Sequence, residues 1–372
     1  MSEILRSLGW DERGGLEAMG WHRSDSDAFS ALASNGFIPA RVVAEERGRF
    51  VVHDGVTTFG ASVSGRLRHE SDGDALAYPA VGDWVATETD DARATGTIHA
   101  LLPRRSVIVR RSPSGHRTAT QIIAANVDIV FVVTSLNGEL NLRRLERYLA
   151  VVWESGAIPV IVLSKSDLDE DVEGHRLAAA SVAPGVEILV SSAVTGGGID
   201  EIRAHLSPGR TAAFIGSSGV GKSTLVNRLA GHELMTVSGI REDDARGRHT
   251  TTRRQLVPLA EGLVIDTPGM RELALLDGDG IAAAFDDIGA VALTCRFTDC
   301  EHRSEPGCAV QAAIVAGELD SARFEAFEKL GREARRSELA TDAIARKAER
   351  RRWCVISKSV DRHMNEKYGR ER

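Results

Sequence analysis

The stretch Gly216-Ser217-Ser218-Gly219-Val220-Gly221-Lys222-Ser223-Thr224 follows the apolar run 211–215 (Thr-Ala-Ala-Phe-Ile) and opens a second run, 224–229 (Thr-Leu-Val-Asn-Arg-Leu). It matches G-x-x-x-x-G-K-[ST] at every position, and its flanks read as the strand and the helix that the pattern requires. Glycines there let backbone N–H groups turn inward around phosphate oxygens, and the positive end of the following helix adds to the attraction. Lys222 would reach the β- and γ-phosphates, and Ser223 would offer a hydroxyl to Mg²⁺. Residues 216–224 are therefore the expected phosphate site of a nucleotide-binding α/β domain.

Downstream, Asp266-Thr267-Pro268-Gly269 ends another apolar strand. There the Asp266 carboxylate would hold Mg²⁺ through water, and the Gly269 N–H would sense the γ-phosphate. Met270 follows, where a water-orienting glutamine would be useful, and a thioether cannot polarise water. The polar stretch Gly247-Arg248-His249-Thr250-Thr251-Thr252 lies between the two motifs and suits a mobile switch loop. Thr251 or Thr252 would complete the Mg²⁺ shell, and His249 is the candidate to orient or activate water.

The elements that would read the base lie upstream. Guanine presents N1–H and N2–H side by side, and one carboxylate can accept both; adenine offers no such pair. In Ser164-Lys165-Ser166-Asp167, after the strand 160–163, Asp167 is that carboxylate and Lys165 would lay its aliphatic stem along the purine face. Ser164 stands where an asparagine is usual, so its tie to the phosphate loop has a shorter reach. Ser191-Ser192-Ala193 suits backbone donation to guanine O6, with Ser192 and Ala193 nearest the base. Together these elements favour GTP over ATP, and they precede the phosphate loop instead of following it.

The rest of the chain frames this site. At 372 residues, with 27% charged and 42% hydrophobic residues, it reads as a multidomain protein of ordinary composition. Its start lacks a secretory pattern and no apolar run is long enough to span a bilayer, so a cytoplasmic protein with no membrane role is expected. Residues 1–35 read as a poorly specified lead-in. Residues 36–115 hold five short β-like runs (40–44, 49–53, 57–63, 83–87 and 106–110), an expected small barrel with the oligonucleotide-binding type as one option. Strands and helices alternate over 120–277, as in a doubly wound α/β domain. Residues 278–345 read as helical around a Cys/His cluster, and 346–372 form a basic tail with ten Lys or Arg against four Asp or Glu.

Cys295, Cys300, His302 and Cys308 supply three thiolates and an imidazole within a short stretch, a set suited to one closed, structural Zn²⁺ site. Cys354 lies too far along to belong. The net charge of −7 argues mildly against a chain coated by nucleic acid. Local basic groups, Arg104-Arg105, Arg110-Arg111, Arg117 and the tail with Trp353, nevertheless suit contacts to RNA phosphates and bases.

With these residues assembled, the chain resembles the ribosome small-subunit-dependent GTPase A family of circularly permuted bacterial GTPases. The resemblance covers about residues 36–345. It rests on Val81-Gly82-Asp83-Trp84-Val85, the 247–252 stretch, the permuted motif order and the Cys-x₄-Cys-x-His-x₅-Cys cluster. It implies an N-terminal oligonucleotide-binding-type barrel, a permuted GTPase and a C-terminal helical zinc domain. It also implies a role in late small-subunit assembly with that subunit and its rRNA as partners, GTP hydrolysis stimulated by the subunit, and catalysis at His249. A monomer is expected. Two alternatives stay open from the residues alone: a nucleotide-gated RNA-binding module with little turnover, and a small-molecule phosphotransferase. The motif order carries one further expectation. The chain runs from Gly269 straight to the zinc ligands, so the zinc domain is wired to the switch half, and the barrel to the base-reading half through the strand at Val127.

Overall fold

The computed structural model describes residues 15–46, 48–71, 74–89, 95–111, 120–137, 140–234, 254–266 and 278–341. The described part of the lead-in is a built element. Arg23–Ala33 forms α1, with the Asp25 carboxylate accepting from the His22 N–H at 2.8 Å at its start. Asp25 also pairs with Arg105 at 2.8 Å, and Trp21 meets the Trp84 ring edge-on at 4.7 Å between centroids. Both partners lie more than 60 residues away along the chain, which is why local sequence gives no sign of them.

Five strands make the barrel: Ile38–Glu46 (β1), Arg49–His53 (β2), Thr58–Val63 (β3), Trp84–Thr89 (β4) and Thr95–Leu101 (β5), with the short helix Gly65–Glu70 (α2) after β3. Their order is β1-β2-β3-β5-β4, and β4 returns to pair with β1, closing the barrel. Closure satisfies the backbone groups that an open edge would leave unpaired. Val42, Phe50, Val52, Phe59, Val85 and Ile98 fill the interior. The sequence reading had the right number of strands but one wrong member. Residues 106–110 belong to Val107–Arg111 (β6), which pairs outside the barrel with Thr120–Ala125 (β7). The true fifth strand, β5, has few apolar residues, and only Ile98 within it is fully buried.

The nucleotide-binding sheet contains Ile129–Ser135 (β8), Ile158–Ser164 (β9), Glu187–Val190 (β10), Thr211–Ile215 (β11), Gln255–Pro258 (β12) and Leu263–Asp266 (β13), in the order β10-β9-β8-β11-β13-β12. All neighbours are parallel except β12 and β13. Strands buried on both faces need continuous apolar runs, as β8 and β9 have. One face (Val130, Val132, Ile161, Leu163, Ala213) packs on Leu145, Leu149 and Val152 of Leu142–Ser155 (α3). The other (Phe131, Val133, Val162, Phe214) packs on Ile199–Ala204 (α5) and Lys222–Ala230 (α6). Val172–Val182 (α4) connects β9 to β10. Each large side chain so buried contributes roughly 1.5–3 kcal/mol.

Beyond the sheet, Asp279–Ala284 (α7), Asp286–Ala292 (α8), Ala309–Ala316 (α9) and Ser321–Thr341 (α10) form the C-terminal helical unit. Its packing crosses the covalent wiring. Although the unit follows the switch half in sequence, it docks on α3, between strands β8 and β9 of the base-reading half. An added Cβ at Gly280 of α7 would stand 1.9 Å from the Ala150 carbonyl of α3, so only glycine allows this approach. Arg323 of α10, 3% exposed, donates to Glu146 of α3 at 2.8 Å and to Asp287 at 2.7 and 2.8 Å. The barrel crosses over in the opposite sense: β1 pairs with β12, the edge strand of the switch half, at Ala44 and Gln255.

Candidate nucleotide site and metal centre

The phosphate loop leaves β11 at Gly216, whose φ of +146° and tight fit leave no room for a side chain: a Cβ would fall 2.2 Å from the Val133 carbonyl. Gly219 and Gly221 also take positive φ, and α6 begins at Lys222, with Ser223 and Thr224 in its first turn. The Lys222 ammonium folds back over the loop and donates to the carbonyls of Gly216 at 2.9 Å and Ser217 at 2.6 Å. Ser218 and Gly219 lie exposed at the loop's crest, while Val220 turns inward and is buried. This is a concave backbone cradle at a helix N-terminus, suited to an anionic phosphate chain.

The upstream motifs converge on this loop. Ser164, 2% exposed, donates its hydroxyl to the Val220 carbonyl at 2.6 Å, with the Thr134 carbonyl at 3.2 Å beside it. The short serine side chain thus spans the gap to the phosphate loop. Lys165 adopts a left-handed φ of 60° and starts the turn that presents Asp167. The Ser192 hydroxyl donates to the Asp167 carboxylate, holding it in place, and also accepts from the Thr195 N–H at 3.1 Å. The Ser166 N–H donates to the Ser191 carbonyl at 3.1 Å, so the two base-side loops are tied backbone to backbone. Asp266 ends β13, opposite Gln255. His249, Thr251, Thr252, Gly269, Met270 and Cys354 lie outside the described residues.

Sequence reading missed three further groups. Arg228 of α6 donates to the carbonyls of Ala193 at 2.7 Å and Val194 at 3.2 Å, linking the phosphate-loop helix to the base-side loop. Arg144 of α3 donates to the Ser217 hydroxyl at 2.8 Å. Thr134 supplies the second carbonyl beside Ser164. A lone arginine on a helix carries no signal of such a partner in sequence. Two of the arginines expected to suit RNA contacts pair with acids of their own chain. Arg104 holds the fully buried Asp83 at 2.6 Å, and Arg105 holds Asp25. Burial pushes the Asp83 carboxyl up from its ordinary value even against the pull of Arg104.

The cysteine cluster assembles as a donor set. One ligand atom from each of Cys295, Cys300, His302 and Cys308 lies within 4.8 Å of all the others. The sulfurs of Cys295 and Cys308 stand 3.5 and 3.6 Å from His302 Nδ1. A tetrahedral zinc ion with ligand bonds of about 2.0–2.3 Å places its ligands about 3.5–3.8 Å apart, so the set fits that ion. Backbone N–H groups of Ala309 and Gln311 point at the sulfurs of Cys295 and Cys308, each at 3.4 Å. Burial and two adjacent thiols push the Cys300 thiol up to about 11. The three sulfurs could all be thiolates in this space only with a cation among them.

Comparison with known proteins agrees with this geometry. The RsgA GTPase family model matches residues 101–276. A small ribosomal subunit biogenesis GTPase, RsgA 2 of Lactiplantibacillus plantarum, is 48% identical, with 80% of this chain and 84% of that protein covered. The Streptomyces coelicolor protein of the same description is 45% identical, with 91% and 92% covered. The chain belongs to the RsgA GTPase family.

The crystal structure of YjeQ from Thermotoga maritima superposes with a TM-score of 0.60 at 27% identity, covering 80% of this chain and 98% of that one. YloQ, described as a circularly permuted GTPase, gives 0.57 at 23% identity and likewise shares the fold. The protein is thus a GTP-hydrolysing enzyme of the RsgA family. It has a closed N-terminal barrel, a central GTPase domain of permuted motif order and a C-terminal unit whose Cys₃His cluster is compatible with zinc. The family implies use of a guanine nucleotide with Mg²⁺.

Proposed function

We propose that this protein binds the small ribosomal subunit and its rRNA and hydrolyses GTP during late assembly of that subunit, with hydrolysis stimulated by the subunit. The observation that carries the reading is the tie of Ser164 to the phosphate loop, with Ser192 bonded to Asp167 beside it, in a chain that matches small-subunit biogenesis GTPases over most of its length. In this reading residues 216–224 hold the phosphates. Asp167 accepts from guanine N1–H and N2–H, Lys165 covers the purine face, and the Ala193 N–H donates to O6. Ser223, Asp266 and one of Thr251 and Thr252 hold Mg²⁺, which neutralises charge on the β- and γ-phosphates. The Gly269 N–H senses the γ-phosphate and His249 orients or activates the attacking water.

Cys295, Cys300, His302 and Cys308 hold one structural zinc ion per chain. The domain division that goes with this reading is a barrel over β1–β5, the GTPase at 120–277, a zinc domain at 278–345 and a basic tail at 346–372. Among the described residues no helix is long and apolar enough to cross a membrane. A cytoplasmic monomer suits a ribosome partner.

GTP turnover measured with and without purified small subunits tests the reading. Strong acceleration by the subunits is expected, and equal rates would overturn it. His249→Ala should abolish most of the stimulated rate while leaving GDP affinity within about threefold. Retained stimulation would instead assign water activation to another group.

A further inference from the structure

Ser164 and Ser191 occupy equivalent places on neighbouring parallel strands. β9 and β10 pair in register through Leu163 and Val190, and each serine is the next residue along. The Ser191 N–H donates to the Leu163 carbonyl at 2.8 Å, which continues that pairing past the strand end. Residues level with one another on adjacent strands project to the same face. Both serines therefore sit beneath the contact between the base-side loops and the phosphate loop. Ser164 is 2% exposed and Ser191 1%.

Their hydroxyls are not used alike. Ser164 has one proton to give, and the Val220 carbonyl is 2.6 Å away to receive it. The Ser191 hydroxyl is fully buried and has no hydrogen-bond partner among the described residues. A buried hydroxyl in that condition costs stability, and native folds seldom keep one. A carboxamide at position 164 would resolve it. Its NH₂ could serve the Val220 carbonyl while its oxygen accepted from Ser191, since an amide both donates and accepts over a longer reach. A serine hydroxyl can accept as well as donate, but the short Ser164 side chain receives no bond from Ser191 and ties one side only.

Resting on the guanine-nucleotide reading above, we propose that Ser164 and Ser191 form a half-made brace that sets how fast nucleotide leaves. Among the described residues the Ser164–Val220 bond is the side-chain tie from this strand end to the phosphate loop, beside the Arg228 link from α6 to Ala193 and Val194, and the Ser191 hydroxyl adds no further tie. The purine-contacting residues 165–167 then separate readily from the phosphate loop. Bound GDP is released rapidly without an exchange partner to open the site. The residues act on release by positioning these loops and not by touching the reacting phosphate.

Release of a fluorescent GDP analogue from the full-length protein, chased with excess GTP, tests the proposal. Ser164→Asn should slow release about tenfold, the equivalent of about 1.4 kcal/mol. Ser164→Asn combined with Ser191→Ala should restore the fast rate, because the gain requires the Ser191 hydroxyl. An unchanged rate in the first variant, or slow release that persists in the double variant, overturns the brace. Should the asparagine variant fail to fold, Ser191→Ala alone still decides. Removing a hydroxyl without a partner should raise Tm by about 1–3 °C, and a fall in Tm would mean the hydroxyl is already engaged. The matching ADP analogue separates this idea from its foundation. Equal binding of ADP and GDP would defeat the guanine reading itself, whereas GDP selectivity without the Ser164→Asn effect defeats only the brace.

Discussion

Two residues show how closely the phosphate loop is fitted to its surroundings. Gly216 sits against the Val133 carbonyl with positive φ, so Gly216→Ala would force the loop off its strand. Loss of GDP binding by at least about a hundredfold is expected in isothermal titration, and near-normal affinity would show that the loop tolerates a shift. Arg144 reaches the loop from outside through the Ser217 hydroxyl, with both groups partly exposed. Solvent screening limits what one such bond can contribute. Arg144→Ala should therefore raise KM for GTP only about threefold, with kcat little changed. A large fall in kcat would instead place the guanidinium on the reacting phosphate. The glycine was legible in the sequence because its motif is local. The arginine was not, because its partner lies 73 positions away.

Among elements, the contact between α3 and the C-terminal helices is held by a buried ion-pair network. Arg323 lies between Glu146 of α3, which is fully buried, and Asp287, and its guanidinium stacks over the Phe285 ring at 4.7 Å. Arg323→Met would leave the buried Glu146 with only the partly exposed Arg143 as a cation and deprive Asp287 of its arginine, and a cost at the low end of about 3–5 kcal/mol is expected in denaturant unfolding. Arg323→Met combined with Glu146→Met should recover most of that loss, since no buried charge then remains. Acid should loosen the same contact. Burial alone would raise the Asp287 carboxyl, but Arg323 overcomes it and holds the group below its ordinary value of 3.8. A depressed carboxylate stabilises the folded state above its unfolded value and loses that contribution as pH falls below it. Hydrogen exchange in α3 and α10 should therefore rise as pH drops below about 3.8, after correction for the intrinsic exchange rate, and flat protection there would contradict the assignment. Periodicity revealed these helices in the sequence, but it could not say which partner they cover. The partner is fixed by Arg323, Glu146 and Gly280, three residues that look unremarkable in isolation.

For the whole molecule, covalent order and packing order disagree, and the disagreement makes the parts interdependent. The barrel leads by chain into the base-reading half yet pairs through β1 with β12 beside the switch strand. The helical unit leaves the switch half yet rests on α3. Arg41, fully buried, donates to carbonyls of Met19, Gly82 and Asn126, so one guanidinium joins the lead-in, the barrel and the end of β7. Burial lowers its pKa to about 10, still well above neutrality. Barrel and GTPase should therefore melt together in calorimetry, and Arg41→Met should lower that shared transition. Two separated endotherms in the parent protein would show that the joint is weak.

Sequence alone determined the phosphate loop, the permuted order of the motifs, the α/β rhythm and the cysteine cluster. Each of these is a local pattern whose chemistry is complete within a few residues or one strand–turn–helix unit. Tertiary structure alone decided that β5 and not residues 106–110 closes the barrel, and that residues 15–33 pack as part of the fold. It alone decided that Arg104 and Arg105 face acids of their own chain and that the helical unit docks on α3. These outcomes depend on partners tens to hundreds of residues apart, and pairing energies across such separations leave no periodic trace in the chain that carries them.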